Sequence, residues 1–221
     1  CINALNPCSC PGKTLGTLKV DGIDPEKAGV FGMSKIVGTV LQDTDGQFIG
    51  LTVAEDIAFA LENDAVAQES MHRRVSEVAK LIEMQPFLKH SPGSLSGGQK
   101  QRVSMGGVLV DDVKVLLFDE PLANLDPAAG KNAMSLIGEI GKKRDVTVIM
   151  IEHRLEDALY LAFDRVIVIG EGRIVSDTTT AELLCKNILN EQGIREPLYL
   201  TAIKHAGCEV KSEDHPENIE K

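Results

Sequence analysis

Two short segments, LSGGQKQR at 95–102 and VLLFDE at 115–120, constrain the fold of this chain more than any other part of its sequence. Ser96 is a good helix N-cap, and Gly97 and Gly98 let backbone N–H groups approach a ligand without a Cβ in between. The N-terminus of such a helix favours an anion such as phosphate. The second segment is an apolar run typical of a buried parallel strand, and it ends in two adjacent carboxylates. Together the segments indicate nucleotide chemistry with a divalent metal.

Each segment also has an ordinary explanation when it stands alone. Ser-Gly-Gly is usually a loop, and Asp-Glu after an apolar run is often a solvated strand end. The two in this order, with Gln99–Arg102 attached, are far more specific, and they resemble the signature and Walker B motifs of ATP-binding-cassette (ABC) ATPases. The resemblance implies an α/β fold of the ABC-type P-loop NTPase class, with a RecA-like parallel-sheet core, an antiparallel β segment and an inserted helical subdomain.

Composition narrows the class of protein further. The 221 residues suffice for one large α/β domain with a short extension. The formal net charge of −10 argues against nonspecific binding to nucleic acid. No apolar run reaches the length of about 20 residues that a bilayer-spanning helix needs. The five cysteines include no Cys-x-x-Cys pair, so we interpret them as reduced thiols of a cytosolic protein in preference to a metal site at Cys8 and Cys10.

The hydrophobic periodicity predicts an alternation of strands and helices along the chain. Strands are expected at 15–20, 37–41, 115–118 and 146–151, the last of them buried, with a hairpin formed by 166–169 and 173–176. Helices are expected at 1–6 (the end of one), from Thr52 through Leu61 with Glu55 completing a capping box, and at 70–83, 96–110, 127–143 and 154–162. Thr180 is expected to cap the last helix, the periodicity fades beyond Lys186, and 209–221 is typical of a polar linker.

Four polar residues each end an apolar, strand-like run or follow it by one residue: Gln42, Asp119, Glu120 and His153. In open α/β sheets the carboxyl ends of the strands form the edge at which ligands bind. A single polar residue there is unremarkable, but these four have side chains suited to holding Mg²⁺, activating water and sensing phosphate. We therefore expect a nucleotide site at this edge.

The resemblance to ABC ATPases assigns a role to each of these four residues. Asp119 and Glu120 match Walker B, so Asp119 would hold Mg²⁺ through water and Glu120 would polarise the attacking water as general base. Gln42 matches the Q-loop and would contact the metal and the water while reporting to a membrane subunit. His153 matches the H-loop and would contact the γ-phosphate of ATP.

The same resemblance implies a second ATPase domain. Ser96, Gly97, Gly98 and Gln99 match the signature, which in this family binds the γ-phosphate of ATP held by the opposite protomer. The segment 122–126 matches the D-loop, in which Asp126 would signal between the two sites. The family pattern is therefore a head-to-tail dimer, whose second half is the same chain, a paralogue or part of a longer polypeptide.

One motif of the family does not match. A P-loop (Walker A) has the pattern Gly-x-x-x-x-Gly-Lys-Ser/Thr, and Gly12-Lys13-Thr14 fails it because its first glycine would fall on Pro7. No other stretch fits, and the upstream aromatic that stacks on adenine is also missing. The sequence resembles an ABC ATPase that is N-terminally truncated just after its P-loop, so we expect this chain by itself neither to bind ATP tightly nor to hydrolyse it.

Two further stretches, QDTDGQF at 42–48 and TVAEDIAFALEN at 52–63, resemble the ATPase subunits of energy-coupling-factor (ECF) importers. Such importers take up vitamins or cobalt and nickel ions. The resemblance implies a peripheral protein on the cytoplasmic face of the membrane, partnered by a transmembrane coupling protein and a substrate-binding membrane protein, with no nucleic acid. The stretch GIREPLY at 193–199 resembles the segment that joins two ATPase domains in tandem members.

We expect four parts in the chain: a partial nucleotide-binding core at 1–51, a helical subdomain with the signature at 52–110, a RecA-like core at 111–186, and a C-terminal extension or linker at 187–221. Two alternatives to the importer motor stay open. One is a degenerate, noncatalytic ABC partner, which the missing Walker A supports. The other is a soluble ABC protein acting on ribosomes or DNA, a class that usually carries coiled-coil insertions, zinc-binding cysteine pairs or basic arms, and this sequence has none of them.

Overall fold

The computed structural model describes residues 1–9, 12–43, 45–123 and 125–216. Its helices are α1 Leu5–Cys8, α2 Pro25–Ser34, α3 Val53–Asn63, α4 Gln68–Leu81, α5 Gly97–Leu109, α6 Pro127–Arg144, α7 Leu155–Ala158, α8 Thr180–Cys185, α9 Ile188–Glu191 and α10 Leu198–His205. Its strands are β1 Val37–Val40, β2 Val115–Asp119, β3 Thr147–Ile151, β4 Val166–Gly170 and β5 Arg173–Thr178. Cys10 and Pro11, Thr44 in the stretch 42–48, Asn124 in the predicted D-loop and the tail 217–221 lie outside the described residues.

The site depends on a three-stranded parallel sheet with the order β1-β2-β3. Val40 at the end of β1 pairs with Phe118, and Asp119 at the end of β2 pairs with Ile151 at the end of β3. All three carboxyl ends therefore meet at one edge. β4 and β5 form a separate antiparallel hairpin, which confirms the predicted combination of a parallel core with an antiparallel segment.

The predicted helices between β1 and β2 are confirmed, and α3 and α5 begin at the predicted capping residues. Thr52 caps α3: its hydroxyl accepts the Glu55 N–H at 3.3 Å, and the Glu55 carboxylate accepts the Thr52 N–H at 3.0 Å. Ser96 and Gln99 make the same reciprocal pair at the start of α5, at 3.4 and 2.9 Å. The helical span predicted from 70 is α4, which begins two residues earlier.

Two of the three apolar clusters among the described residues support this framework. The larger one joins α3, α4, α5 and α6 to the central strands, with Ile57, Leu116 and Ile137 among its fully buried members. The smaller one joins the hairpin to the C-terminal helices through Leu159, Val168, Leu183, Leu184, Leu189 and Leu200. Among the described residues, no helix is long and apolar enough to cross a membrane.

Several predictions for the first 36 residues are wrong. The expected strand at 15–20 is absent, and only a single bridge pairs Val20 with Ile23 across a turn. Leu15 is 84% exposed, so its alternating pattern has no neighbouring strand to pack against. The expected helix end at 1–6 is instead the short α1, broken by the extended backbone of Asn6. α2 was not predicted, although Asp24 caps it and Pro25 is its first residue.

Four predictions in the second half need correction. β3 has the predicted position but is half-exposed, with Ile151 62% exposed, because it lies at an edge of the described sheet. α7 ends at Ala158, short of the predicted 162. The cap of α8 is Thr179, whose hydroxyl accepts the Glu182 N–H, and not Thr180. Beyond Lys186 the chain still forms α9 and α10.

Candidate functional site

The carboxyl edge of the parallel sheet brings three of the four predicted residues into contact. The amide nitrogen of Gln42, two residues past β1, donates to Oε2 of Glu120 over 2.8 Å. Nδ1 of His153, two residues past β3, lies 3.5 Å from the other oxygen of the same carboxylate. Glu120 therefore stands between a donor and an imidazole, each facing a different oxygen. These contacts place side chains from all three strand ends in one cluster.

The backbone of Glu120 is held in an unusual conformation. Its φ is 46°, in the left-handed region that non-glycine residues rarely adopt, and Pro121 follows it. Its N–H donates to the carbonyl of Ile151 over 2.9 Å, which extends the β2–β3 pairing by one residue. This conformation and this pairing fix the point at which the Glu120 side chain leaves the main chain.

Asp119 is the fourth residue of the predicted group, and it lies within β2, whereas Glu120 follows the strand. It is the last residue of β2 and is exposed at the sheet edge. Among the described residues, no three His, Cys, Asp or Glu side chains form a group that could hold a metal ion by themselves. Proteins bind Mg²⁺ through one or two carboxylates with the remaining positions left to phosphate and water. Asp119 and the amide oxygen of Gln42 provide such a partial set.

Two residues beside His153 were not predicted as part of the site. Oε1 of Glu152 accepts the N–H groups of His153 and Arg154, both at 3.0 Å, and the Glu152 side chain is 3% exposed. The Arg154 guanidinium donates to the carbonyl of Leu122 over 2.7 Å and pairs with Asp157 at 2.6 Å. The Arg-x-x-Asp spacing was a sequence signal for the ion pair, but the bond to Leu122 crosses from another element and has no local signature.

The signature residues form a second group, at the N-terminus of α5. Ser96 and Gly97 are exposed there, and the Ser96 hydroxyl is engaged as the helix cap. A Cβ on Gly98 would lie 3.4 Å from the Cβ of Ala129, so the start of α5 packs against the first turn of α6. Oδ1 of Asp126 caps α6 by accepting two backbone N–H groups at 2.9 and 3.0 Å. The structure thus brings the signature to Asp126.

The chain connects the two groups through the short segment between β2 and α6. This segment starts at Glu120 in the first group and ends at Asp126 in the second, and Leu122 within it is fully buried. Hydrogen bonds from Leu125 to Leu122 and from Ala123 to Glu120 hold its turns. A movement of this segment would therefore displace residues of both groups.

Comparison with known proteins gives two family matches. A family described as "ABC transporter" matches residues 5–123, which is more than half of the chain. A family described as "ATP-binding cassette cobalt transporter" matches residues 186–221. The first match includes Gln42, the signature and Walker B, and the second covers the C-terminal segment.

Individual relatives agree with these matches. ABC transporter ATP-binding proteins from Enterococcus faecalis and Clostridium perfringens are each 55% identical, over 219 and 221 residues. These alignments take 99% and 100% of this chain but 39% of each relative, so the chain spans about two fifths of the length of the curated relatives that it matches. Among solved structures, cbiO1 from Clostridium perfringens, described as part of the ABC transporter complex cbiONQ, superposes with a TM-score of 0.76 at 26% identity, covering 92% of this chain and 80% of that one.

Proposed function

Because the chain belongs to the ABC transporter family of ATP-binding proteins, we propose that it is part of the ATP-hydrolysing motor of an ECF-type importer, which powers uptake of a vitamin or a transition-metal ion. The observation that carries the ATPase proposal is the convergence of Gln42 and His153 on the two oxygens of Glu120. The importer type is supported by the cobalt-transporter family match at 186–221 and by the likeness to a component of cbiONQ.

We propose Glu120 as the general base of hydrolysis. It would take a proton from water as the water oxygen bonds to the γ-phosphorus and the bond to the β–γ bridging oxygen breaks, giving ADP and phosphate. Gln42 orients the carboxylate through its hydrogen bond to Oε2, and His153 lies beside the other oxygen. General-base catalysis of this kind contributes a rate factor of about 10²–10⁴.

Asp119 and Gln42 are the residues that would hold Mg²⁺, since they supply oxygen ligands at the edge where the base lies. The ion's chemistry there would be neutralisation of charge on the phosphates. His153 would face the γ-phosphate from β3. Ser96, Gly97, Gly98 and Gln99 at the start of α5 would bind ATP held by a second ABC ATPase domain in a head-to-tail pair, with Asp126 beside them.

We place the protein on the cytoplasmic face of the membrane, where a transmembrane coupling protein and a substrate-binding membrane protein would be its partners. The description of cbiO1 as part of a complex supports an assembly of this kind. Segments 1–51, 52–110, 111–186 and 187–221 would serve as partial core, helical subdomain, second part of the core and C-terminal extension.

The test is hydrolysis and uptake by the intact transporter in proteoliposomes, with Co²⁺, Ni²⁺ and vitamins offered separately. The intact assembly is needed because the chain contains no P-loop pattern. We expect Glu120→Gln to lower kcat by about 10²-fold or more while ATP binding is retained. His153→Ala should also lower kcat. Its matched control is His72→Ala, because His72 is an exposed histidine on α4. Wild-type turnover in Glu120→Gln would favour the noncatalytic partner and overturn the proposal.

A further inference from the structure

The imidazole of His153 owes its position to its backbone more than to packing. Its side chain is 67% exposed, and its contacts with Glu120 at 3.5 Å and Glu152 at 3.9 Å are both longer than an ordinary hydrogen bond. The main chain, by contrast, is held at two successive amides by one oxygen of Glu152. Where His153 points is therefore decided largely by the residues on either side of it.

Burial of the Glu152 carboxylate lowers the stability of the folded protein. Its second oxygen is buried and has no hydrogen-bond partner among the described residues. An unsatisfied buried acceptor is destabilising, and an apolar residue at this position would avoid that loss. This cost supports a role for the two bonds that the first oxygen makes.

Arg154 joins the start of α7 to a segment that lies far from it in the sequence. One end of its guanidinium pairs with Asp157 on α7, and the other donates to the carbonyl of Leu122, after β2. Leu122 is fully buried, so its carbonyl is a fixed anchor. Because Leu122 lies between Glu120 and Asp126, the anchor is part of the segment that connects the two candidate groups.

We propose that Glu152 and Arg154 are positioning residues, which hold His153 near Glu120 and couple its segment to the D-loop segment at 122–126. The catalytic consequence rests on the proposed ATPase function, whereas the mechanical coupling does not. Glu152 sets the backbone of His153, and Arg154 ties that backbone to Leu122. A movement on either side is thereby transmitted to the other.

Amide hydrogen exchange on the intact protein tests the coupling without any need for turnover. We expect Arg154→Ala to raise deuterium uptake in peptides covering 152–158 and also in those covering 121–126, because the Leu122 anchor is lost. Arg165→Ala is the matched control, since it removes an arginine paired with Asp177 at the hairpin. Faster exchange confined to 152–158 would overturn the coupling.

Steady-state ATPase kinetics of the intact transporter test the positioning role. We expect Arg154→Ala to lower kcat by about 10- to 100-fold, the size of effect that a small misplacement of a catalytic group produces, with little change in the KM for Mg-ATP. Arg154→Lys should recover only part of the loss. Its ammonium keeps the positive charge but cannot reach both partners in the same forked geometry. Glu152→Gln retains the acceptor oxygen and should be milder than Glu152→Ala.

A double-mutant cycle shows whether Arg154 acts through His153. We expect Arg154→Ala to have no further effect on kcat in a His153→Ala background, since the group that it positions is gone. Multiplicative losses would overturn the proposal, as would a change in unfolding temperature with kcat intact. Failure of the proposed function looks different, because Glu120→Gln would then hydrolyse ATP like the wild type while the exchange result stands unchanged.

Discussion

The side-chain amide of Gln42 donates a hydrogen bond to Oε2 of Glu120 over 2.8 Å, joining two residues that lie 78 positions apart in the sequence. The contact forms because β1 and β2 are adjacent parallel strands that end at the same edge. His153 faces the other oxygen of the carboxylate from the end of β3. Three neighbouring strand ends thus determine where one carboxylate points.

The first prediction concerns this hydrogen bond. Gln42→Ala removes the donor to Oε2, so Glu120 is oriented only by His153 and its own backbone. We expect kcat for ATP hydrolysis by the intact transporter to fall by about tenfold, less than for loss of the base itself. Gln68→Ala, an exposed glutamine at the start of α4, should leave kcat unchanged. Equal rates in Gln42→Ala and wild type would show that the bond does not orient the base.

Most of the site could be predicted because its residues belong to local patterns. An apolar run followed by a carboxylate identifies the end of β2, and Ser96 with Gln99 identifies the start of α5. The meeting of Gln42, Glu120 and His153 followed from the rule that parallel strands end at a common edge. What remained hidden depends on contacts between distant segments, such as the bond from Arg154 to Leu122.

The errors in secondary structure have similar causes. The alternation at 15–20 resembled a strand, but a strand also requires a pairing partner, which the sequence does not reveal. The smaller apolar cluster stabilises α9 and α10 through Leu189 and Leu200, tertiary contacts that compensate for weak local periodicity. Two threonines in succession both fit the cap of α8, and only the backbone geometry distinguishes them.

The second prediction tests that distinction. Thr179 caps α8, whereas the hydroxyl of Thr180 is buried and has no hydrogen-bond partner among the described residues. We expect Thr179→Ala to lower the free energy of unfolding by about 1 kcal/mol. Thr180→Val keeps the side-chain shape and removes the unsatisfied hydroxyl, so it should be neutral or stabilising by up to about 1 kcal/mol. Denaturant unfolding of the purified variants measures both, and the reverse order would assign the cap to Thr180.

The third prediction concerns pH. Burial raises the pKa of Asp111 above its usual 3.8, although Lys35 and Arg74 act in the opposite direction. The folded state therefore binds this proton more tightly than the unfolded chain does. The contribution of Asp111 to stability is complete below the unfolded pKa and is lost as the pH rises through the higher folded pKa.

Asp111→Asn removes this titration, so the variant should gain stability relative to the wild type as the pH rises from about 4 to about 7. Denaturant unfolding at several pH values measures the difference in the free energy of unfolding. Asp164→Asn is the matched control, because Asp164 is an exposed aspartate that is not among the charges acting on Asp111. A difference between Asp111→Asn and wild type that stays constant or shrinks with rising pH would contradict the raised pKa.

The fourth prediction separates two adjacent glycines of α5. Sequence propensity alone treats Gly106 and Gly107 alike, each weakening the helix by roughly 1 kcal/mol relative to alanine. In the structure, a Cβ on Gly106 would lie 2.7 Å from Cδ1 of Ile82 and 3.2 Å from a side-chain carbon of Ile57, both fully buried. Among the described residues, a Cβ on Gly107 would come within 4 Å of only the carbonyl oxygen of Asp56, at 3.7 Å.

We therefore expect opposite effects on the free energy of unfolding. Gly107→Ala should stabilise the protein by up to about 1 kcal/mol, because it gains helix propensity at no steric cost. Gly106→Ala gains the same propensity but forces Ile82 to shift in a packed core, where overpacking costs about 1–3 kcal/mol, so it should be neutral or destabilising. Ile82→Val, which removes the clashing methyl group, should restore part of that loss when combined with Gly106→Ala. Equal stabilisation by the two alanine variants would show that α3, α4 and α5 pack less closely at Gly106 than these distances indicate.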